Sequence, residues 1–491
     1  MSSREGRATE TLADRAGPQA GPRRAWTLEL ASLGLFMVAL DNMVVTLALP
    51  ALRASLHGSL ADLEWTVNAY LLSFACWLLA GAALGDRFGR RRMFCIGMAV
   101  FTAASAWAAL SPTVGVLIAA RAVQGAGAAM VMPLTLTLIS EAFPPDKRGM
   151  AIGLWGGIAG LAVAGGPVIG GAVVQGLSWH WIFWLNVPVG LAVIPLAAWR
   201  LRESFGPRAR LDVAGLVLAG AGLFSITWGL VRANTVGWSS AEVIGALAAG
   251  AALVGLFAAW ERRARAPMLP LALFRRARFT AANGVSFFMY AGLFGTLFLM
   301  TQFLQSAQHY TPLQAGIRML PWTAAAMVIS PVAGKLADRY GNRPFITTGL
   351  LLQAAGLAWI AAVATPGLSY AVLGAALTVA GIGIGLVFPT VATEVMTSVP
   401  GPQIGVASGT NSALRELGGV FGVAVLASIF ARPGAYTTPA IFTSGFQAAL
   451  WAGAAFSAAG ALIAITVRQR PAPAEARSHA RPEPATASTV D

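Results

Sequence analysis

Fourteen apolar runs of about 20 residues, the length a helix needs to cross hydrocarbon, follow one another between Leu28 and Val467. A bilayer offers no water to backbone amides, so such runs fold as helices that satisfy their own N–H and C=O groups. The first run, Leu28–Pro50, carries Asp41 in its interior. A carboxylate at that depth costs several kcal/mol unless it faces water, a partner or a proton. Few other acids interrupt the runs. Asp41 is therefore the first candidate for chemistry in mid-membrane, and the rest of the chain is expected to open it to one side and then to the other.

Charge supports that class. Only 11% of the 491 residues are charged and 56% are hydrophobic; a soluble domain carries roughly twice that charged share. The net charge of +14 is unevenly spread. Arg53, Arg232 and Arg432 fall in loops on one side of the runs, and Arg121, Arg318 and Arg415 fall within them. Every other Lys and Arg falls in the tails and loops of the opposite side. Cytoplasmic loops carry such an excess, so the expectation is a multi-pass protein of the cell membrane with both termini in the cytoplasm. The same distribution argues against a nucleic-acid partner.

The first run is longer than a signal-peptide core and follows a tail that mixes Arg, Glu and Asp, so it is expected to remain as a span. Cys76 and Cys95 lie in or beside apolar runs without metal-type spacing and read as small core hydrophobes. Lys147 and Lys335 are the only lysines, and neither stands between Gly and Ser or Thr in a phosphate cradle. There is no HExxH, no Cys/His set and no nucleophile elbow. The expectation is a protein that is not an enzyme, holds no metal and uses a proton gradient in place of a cofactor. None of His57, His180, His309 and His479 falls deep in a run, so a carboxylate has to carry the proton.

The chain repeats itself. LGDRFGRRR (84–92), after the second run, is echoed by GKLADRYGNR (334–343), after the tenth. Asp86, Arg87, Gly89 and Arg90 thus face Asp338, Arg339 and Gly341 in the same order. Setting aside runs seven and eight leaves six plus six, each half with this loop between its second and third run. A duplicated six-helix bundle with two helices inserted at the junction is the economical all-α membrane fold. The expected organisation is a disordered tail over 1–27, a bundle over 28–201, and the inserted helices with a basic loop over 202–278. A second bundle over 279–467 and a disordered tail over 468–491 complete it.

Six further stretches sharpen this reading: LDNMVVTLALP (40–50), LEWTVNAYLL (63–72), RAVQGAGAA (121–129), GGPVIGG (165–171), WHWIFWLNVPVG (179–190) and TPLQAGIRMLPW (311–322). In this order and spacing they resemble the motifs of the major facilitator superfamily, specifically its fourteen-span drug/proton antiporter branch. The resemblance covers residues 28–467. It implies a proton-coupled antiporter that exports hydrophobic or amphipathic small molecules, with drug resistance as the outcome. It also implies functional roles for Asp41 and Arg121, and a part in preventing proton leak for the motif of Gly166, Pro167, Gly170 and Gly171. Thr46, Ala82, Ala162 and His180 depart from the branch's usual Asn, Gly, Gly and Arg. A proton symporter for uptake on the same fold is the second reading. A membrane enzyme or sensor is the third, and it lacks a constellation to support it.

The candidate residues follow. Asp41 and Arg121 sit at similar depth, roughly 13 and 10 Å below one surface at 1.5 Å rise per residue, and are assigned to proton coupling. Asp86 and Asp338, with Arg87, Gly89, Arg90, Arg339 and Gly341, are candidates for a conformational latch in which the Asp meets a helix N-terminus and the Arg make salt bridges. Asn68, Tyr70, Gln124, Asn283, Gln302 and Asn411 are candidates for a substrate cavity. Arg415 and Glu416 interrupt the thirteenth run as neighbours about 100° apart, so only one faces a cavity squarely. Arg318 is expected to snorkel. The expected partners are a small-molecule substrate, protons and the bilayer, with the protein working as a monomer.

Overall fold

The computed structural model describes residues 21–206, 212–264, 267, 269, 271–400 and 403–466, and every regular element among them is helical. In the first bundle these are α1 (Gly21–Leu56), α2 (Leu60–Phe88), α3 (Arg90–Ala109), α4 (Val114–Ala142), α5 (Pro145–Gly176) and α6 (Trp181–Arg200). Two helices follow, α7 (Val213–Val236) and α8 (Ala241–Glu261). The second bundle holds α9 (Ala277–Ala307), α10 (Pro312–Arg318 continued by Leu320–Tyr340), α11 (Asn342–Val363), α12 (Tyr370–Thr397), α13 (Ile404–Phe430) and α14 (Pro439–Thr466). Thirteen are long and apolar enough to cross a membrane; α2 qualifies as two segments, Leu60–Leu78 and Ala80–Phe88, that meet at 48°. The expected fourteen spans are therefore present as helices.

One boundary moves. Residues 21–27, expected in the disordered tail, form the first two turns of α1 because Thr27 and Leu30 are already buried and Trp26 packs on the core. The rest of the two expected tails, 1–20 and 467–491, lies outside the described residues.

The repeat extends into helix ends. His57 and His309 take positive φ, 52° and 56°, at the ends of α1 and α9. Two residues on, Ser59 and Thr311 cap α2 and α10 with full capping boxes, closed by Asp62 and Gln314. Gly89 and Gly341 both have φ in the left-handed half of the map, 107° and 83°, where a side chain would be strained. They let the chain reverse between α2 and α3 and between α10 and α11.

Packing repeats as well. In the first bundle α4 lies along α2 and α3, α5 along α1, and α6 along α3; in the second, α12 lies along α10 and α11, α13 along α9, and α14 along α11. The bundles meet where α2 runs beside α13 and α5 beside α10. They are tightest at the end opposite the Arg-rich loops. There the Thr301 hydroxyl donates to the Thr46 carbonyl at 2.9 Å, Gln305 Nε2 donates to the Leu47 carbonyl at 2.9 Å, and Arg53 stacks 3.5 Å over the Tyr436 ring. A Cβ on Gly171 would overlap the Pro312 carbonyl. Further along the same face of α5, a Cβ on Gly160 would only reach Met327 at 3.9 Å, and one on Gly157 or Gly153 would meet nothing within 4 Å. The seam closes at one end and parts toward the Arg-loop end.

Candidate functional site

Asp41 is sealed into the first bundle, with a side chain 0% exposed. Its Oδ2 takes a guanidinium N–H from Arg121 at 2.5 Å. Its Oδ1 accepts from Gln124 Nε2 at 2.9 Å and from Asn186 Nδ2 at 2.8 Å. Both amides also donate to the Ser105 hydroxyl, at 2.7 and 3.2 Å. Arg121 donates to Gln124 Oε1 at 2.7 Å and through Nε to the Thr66 carbonyl at 3.3 Å, and lies 4.2 Å from the centre of the Tyr70 ring. Five helices, α1, α2, α3, α4 and α6, thus supply one charged network.

The local sequence explains the geometry. Gly125, one turn past Arg121, lets α4 lie against the backbone of α2, where a Cβ would overlap the Tyr70 carbonyl. That contact brings Arg121 onto the Tyr70 ring and within reach of the Thr66 carbonyl. A buried pair of this kind adds little net stability, but removing one partner strands the other and costs about 3–5 kcal/mol.

The cavity candidates separate into distinct places. Tyr70 and Gln124 belong to the Asp41 network. Asn411 donates to Asn283 Oδ1 at 3.1 Å and to the Ser286 hydroxyl at 2.7 Å, tying α13 to α9 inside the second bundle. Gln302 lies at the closed end, where its Oε1 accepts from the Tyr436 hydroxyl. Both amide atoms of Asn68 are buried without a partner. Arg415 is directed at the rings of Tyr290 and Phe388, 5.2 and 5.3 Å from their centres, and Glu416 is 7% exposed with one carboxylate oxygen unpartnered. Arg318 stacks over Tyr310 at 3.8 Å.

The Arg loops hold each bundle together rather than joining the two. Asp86 was expected to meet a helix N-terminus; its carboxylate instead binds Arg90, four residues on, at 2.7 Å, and Arg90 also reaches Glu141 on α4. The Arg91 amide N–H donates to Glu203 at 2.9 Å, and its guanidinium caps the end of α6 through the Ala198 and Leu201 carbonyls. Arg87 and Arg339 lie beside the rings of Phe88 and Tyr340. The side chain of Asp338 lies outside the described residues. The glycine motif of α5 faces α1 and α10. A Cβ on Gly166 would sit 2.5 Å from Met43 Cβ and one on Gly170 3.0 Å from Val44 Cγ1, while the Pro167 carbonyl rests against Gly316.

A family model described as the Major Facilitator Superfamily matches residues 31–423 and, a second time, 285–490. The chain belongs to that superfamily. Among curated relatives, the tetracenomycin C resistance and export protein of Streptomyces glaucescens is 36% identical over 86% of this chain and 80% of its own. The multidrug resistance protein Stp of Mycobacterium tuberculosis (strain CDC 1551 / Oshkosh) is 37% identical over 82% of this chain and 75% of its own. Among solved structures, a peptide transporter POT in complex with sulfate superposes with a TM-score of 0.66 at 15% identity, over 89% of this chain and 93% of that one. That last likeness shows the major facilitator fold and nothing finer.

Three members of the network escaped the sequence reading. Asn186 stands in WHWIFWLNVPVG, a stretch noted for its resemblance to the superfamily's motifs, so the signal was there without a role attached. Ser105 and the Thr66 carbonyl carry no sequence signal, since a serine in an apolar helix and a backbone oxygen look like any other. His180, where the branch usually has Arg, stacks 3.7 Å from Trp179, and burial holds its imidazole below the usual range. The ring is neutral near pH 7, where an Arg would be charged.

Proposed function

We propose that this chain is a proton-coupled antiporter that exports hydrophobic or amphipathic small molecules across the cell membrane, with both termini in the cytoplasm. The observation that carries the reading is a fully buried carboxylate, Asp41 on α1, held by Arg121 and Gln124 from α4 and by Asn186 from α6. Relatives named for antibiotic export and multidrug resistance favour export over uptake. The excess of Arg at the parting end of the seam supports its assignment to the cytoplasmic side.

The chemistry follows from the bonds. A proton on Asp41 cancels the charge that Arg121 pairs with and turns one accepting oxygen into a donor. The donors on that oxygen, Arg121 at Oδ2 or Gln124 and Asn186 at Oδ1, then have to find other partners, and they sit on helices that pack the whole bundle. Proton binding therefore favours one arrangement of the bundles over the other, and the shift equals the difference in proton affinity between the two. A substrate bound in the same seam biases the equilibrium by the same rule, and exchange follows. The gradient takes the place of a cofactor, and a single chain contains the whole network.

The test uses everted membrane vesicles with an acidic lumen and a fluorescent amphipathic dye. The wild-type chain is expected to accumulate the dye only while the gradient holds. Asp41→Asn is expected to insert normally and to abolish that accumulation. Undiminished gradient-driven accumulation by the variant would refute the assignment of Asp41.

A further inference from the structure

The end of the seam opposite the Arg-rich loops is shut, but it is not solid. It holds a cavity of about 380 Å³, at the small end of the roughly 300–1,000 Å³ typical of ligand sites. Arg53, His57 and Gly58 line it from the last turn of α1 and the turn that follows. Ser306 lines it from the end of α9, and Tyr436 from the loop between α13 and α14. Each bundle thus supplies part of the wall. The α9 part is a π-helical turn, Phe303–Ala307, an irregularity frequent at functional sites. It sets Gln305 on the Leu47 carbonyl of α1 and leaves Ser306 on the cavity.

The lining offers donors and no carboxylate. The Arg53 guanidinium rests on the Tyr436 ring, and among the described residues no acid comes within 4 Å of it. The His57 ring and the Ser306 hydroxyl also lack a protein partner among the described residues. Two acids lie near, and neither serves. Asp62 sits beside Gly58, but its Oδ2 accepts from the Ser59 amide and hydroxyl, both at 2.8 Å. Glu64 acts on Tyr436 electrostatically, yet it is 0% exposed and is not part of the lining. The Tyr436 hydroxyl is spent on Gln302. A guanidinium with its N–H groups unspent, beside an imidazole and a hydroxyl, matches an oxyanion, since the planar fork takes two oxygens at once.

We infer that this cavity binds a compact oxyanion, a phosphate, sulfate or carboxylate group, with Arg53 as its charged partner and His57 and Ser306 as flanking donors. Arg53 and His57 belong to one bundle, Ser306 and Tyr436 to the other, so the site is whole only while this end is shut. Occupancy therefore favours the shut arrangement by mass action, and the anion acts as a brake on the cycle. The binding stands without the export reading above; the brake rests on it.

The experiment titrates the purified full chain by calorimetry with inorganic phosphate, at an ionic strength held constant with sodium chloride. A second arm uses dihexanoyl-phosphatidylglycerol. Wild type is expected to bind phosphate, and Arg53→Gln to weaken binding about tenfold or more, as loss of a charged hydrogen-bond partner does. Arg53→Lys is expected to retain most of the affinity. Arg232→Gln, the same charge change at a residue paired with Glu242, is expected to leave it unchanged. Ser306→Ala keeps Arg53 on its ring and is expected to weaken binding about threefold; it decides the case in which Arg53→Gln does not fold. Binding of the lipid alone, lost in Arg53→Gln, supports the site with a headgroup as the source of the oxyanion. No binding of either probe, or affinity unchanged in both Arg53→Gln and Ser306→Ala, overturns it. In everted vesicles this end faces the lumen. There phosphate is expected to slow dye accumulation relative to chloride at the same acidic pH, in wild type and not in Arg53→Gln. Equal rates in a wild type that binds phosphate overturn the brake. A wild type that binds phosphate and accumulates no dye with either anion removes the export reading and leaves the site standing.

Discussion

The two bundles are near copies at their ends and differ in their interiors. At the loops, His57 and His309, Ser59 and Thr311, Asp62 and Gln314, and Gly89 and Gly341 keep the spacing that separates Asp86 from Asp338. Arg90 bonded to Glu141 in the first bundle has its match in Asn342 bonded to Glu394 at 3.0 Å in the second. Arg91 caps α6 through backbone carbonyls, and Arg343 does the same to α14 at Ile465. Inside, the first bundle buries a charged network around Asp41. The second buries an uncharged one, Asn283, Ser286 and Asn411, and leaves Arg415 and Glu416 short of partners. Duplication kept the turns and caps that build a bundle. Among the described residues, the fully buried ion pair occurs once, in the first bundle.

The sharpest way to break that contrast is to remove an arginine from each side. Arg121→Ala strands Asp41 and is expected to cost about 3–5 kcal/mol, read as a large drop in the thermal unfolding midpoint in detergent. Arg415→Ala removes a guanidinium bonded only to Ser412 and two ring faces, and is expected to cost about 1 kcal/mol. Asp41→Asn combined with Arg121→Gln is expected to regain most of the stability and none of the gradient-driven transport. Equal losses from the two single variants would mean that the interiors are alike after all.

A smaller effect compares the closed and parting ends of the α5–α10 seam. Gly171→Ala pushes a methyl into the Pro312 carbonyl, and overpacking of that kind costs about 1–3 kcal/mol. The cost falls only on the arrangement in which this end is shut. The expected outcome is a population shift: a cysteine placed at Ser306, beside the closed end, is labelled faster by a membrane-impermeant maleimide. Gly157→Ala adds the same methyl where nothing lies within 4 Å and is expected to leave labelling unchanged. Identical rates in the two variants would remove the argument that the seam is a gate.

How much of this was legible depends on what kind of signal each feature leaves. Helix length and apolarity are read directly from residue type, so the fourteen spans, the two bundles and the pair α7 and α8 were foreseen. A charge in hydrocarbon is conspicuous, so Asp41, Arg121, Arg415 and Glu416 were found. What those charges touch was less visible. Gln124 reads as a cavity residue in sequence because its bond to Asp41, three positions from Arg121, depends on α4 pressing against α2 at Gly125. Asn68, Asn283 and Gln302 look alike in sequence and end up in three unrelated places. The repeated Asp-Arg loops suggest a latch in which Asp86 meets a helix N-terminus, whereas the structure closes Asp86 onto Arg90 one helical turn away. The start of α1 was set too late because Pro22, Arg23 and Arg24 read as tail, though Pro is at home in a helix's first turn.

The smallest effect asks whether the repeat is energetic as well as geometric. Ser59 and Thr311 each accept the N–H of the third residue of their helix, while Asp62 and Gln314 return a bond to the cap's own N–H. Loss of an N-cap hydroxyl costs about 1 kcal/mol. Ser59→Ala and Thr311→Ala are therefore expected to lower stability by similar amounts, and together by about the sum, since the two caps sit in different bundles and share no partner. The charge of Asp62 supplies one asymmetry: a carboxylate near a helix N-terminus adds about 0.3–1 kcal/mol that a neutral Gln does not. Asp62→Gln should then cost that much, while Gln314→Asp should gain it, with both changes fading at high salt. Measured by urea or thermal unfolding at two ionic strengths, opposite signs at the two matched positions would show that the copies diverged by tuning one shared device. Matching signs would mean that the caps work by different physics despite their shared geometry.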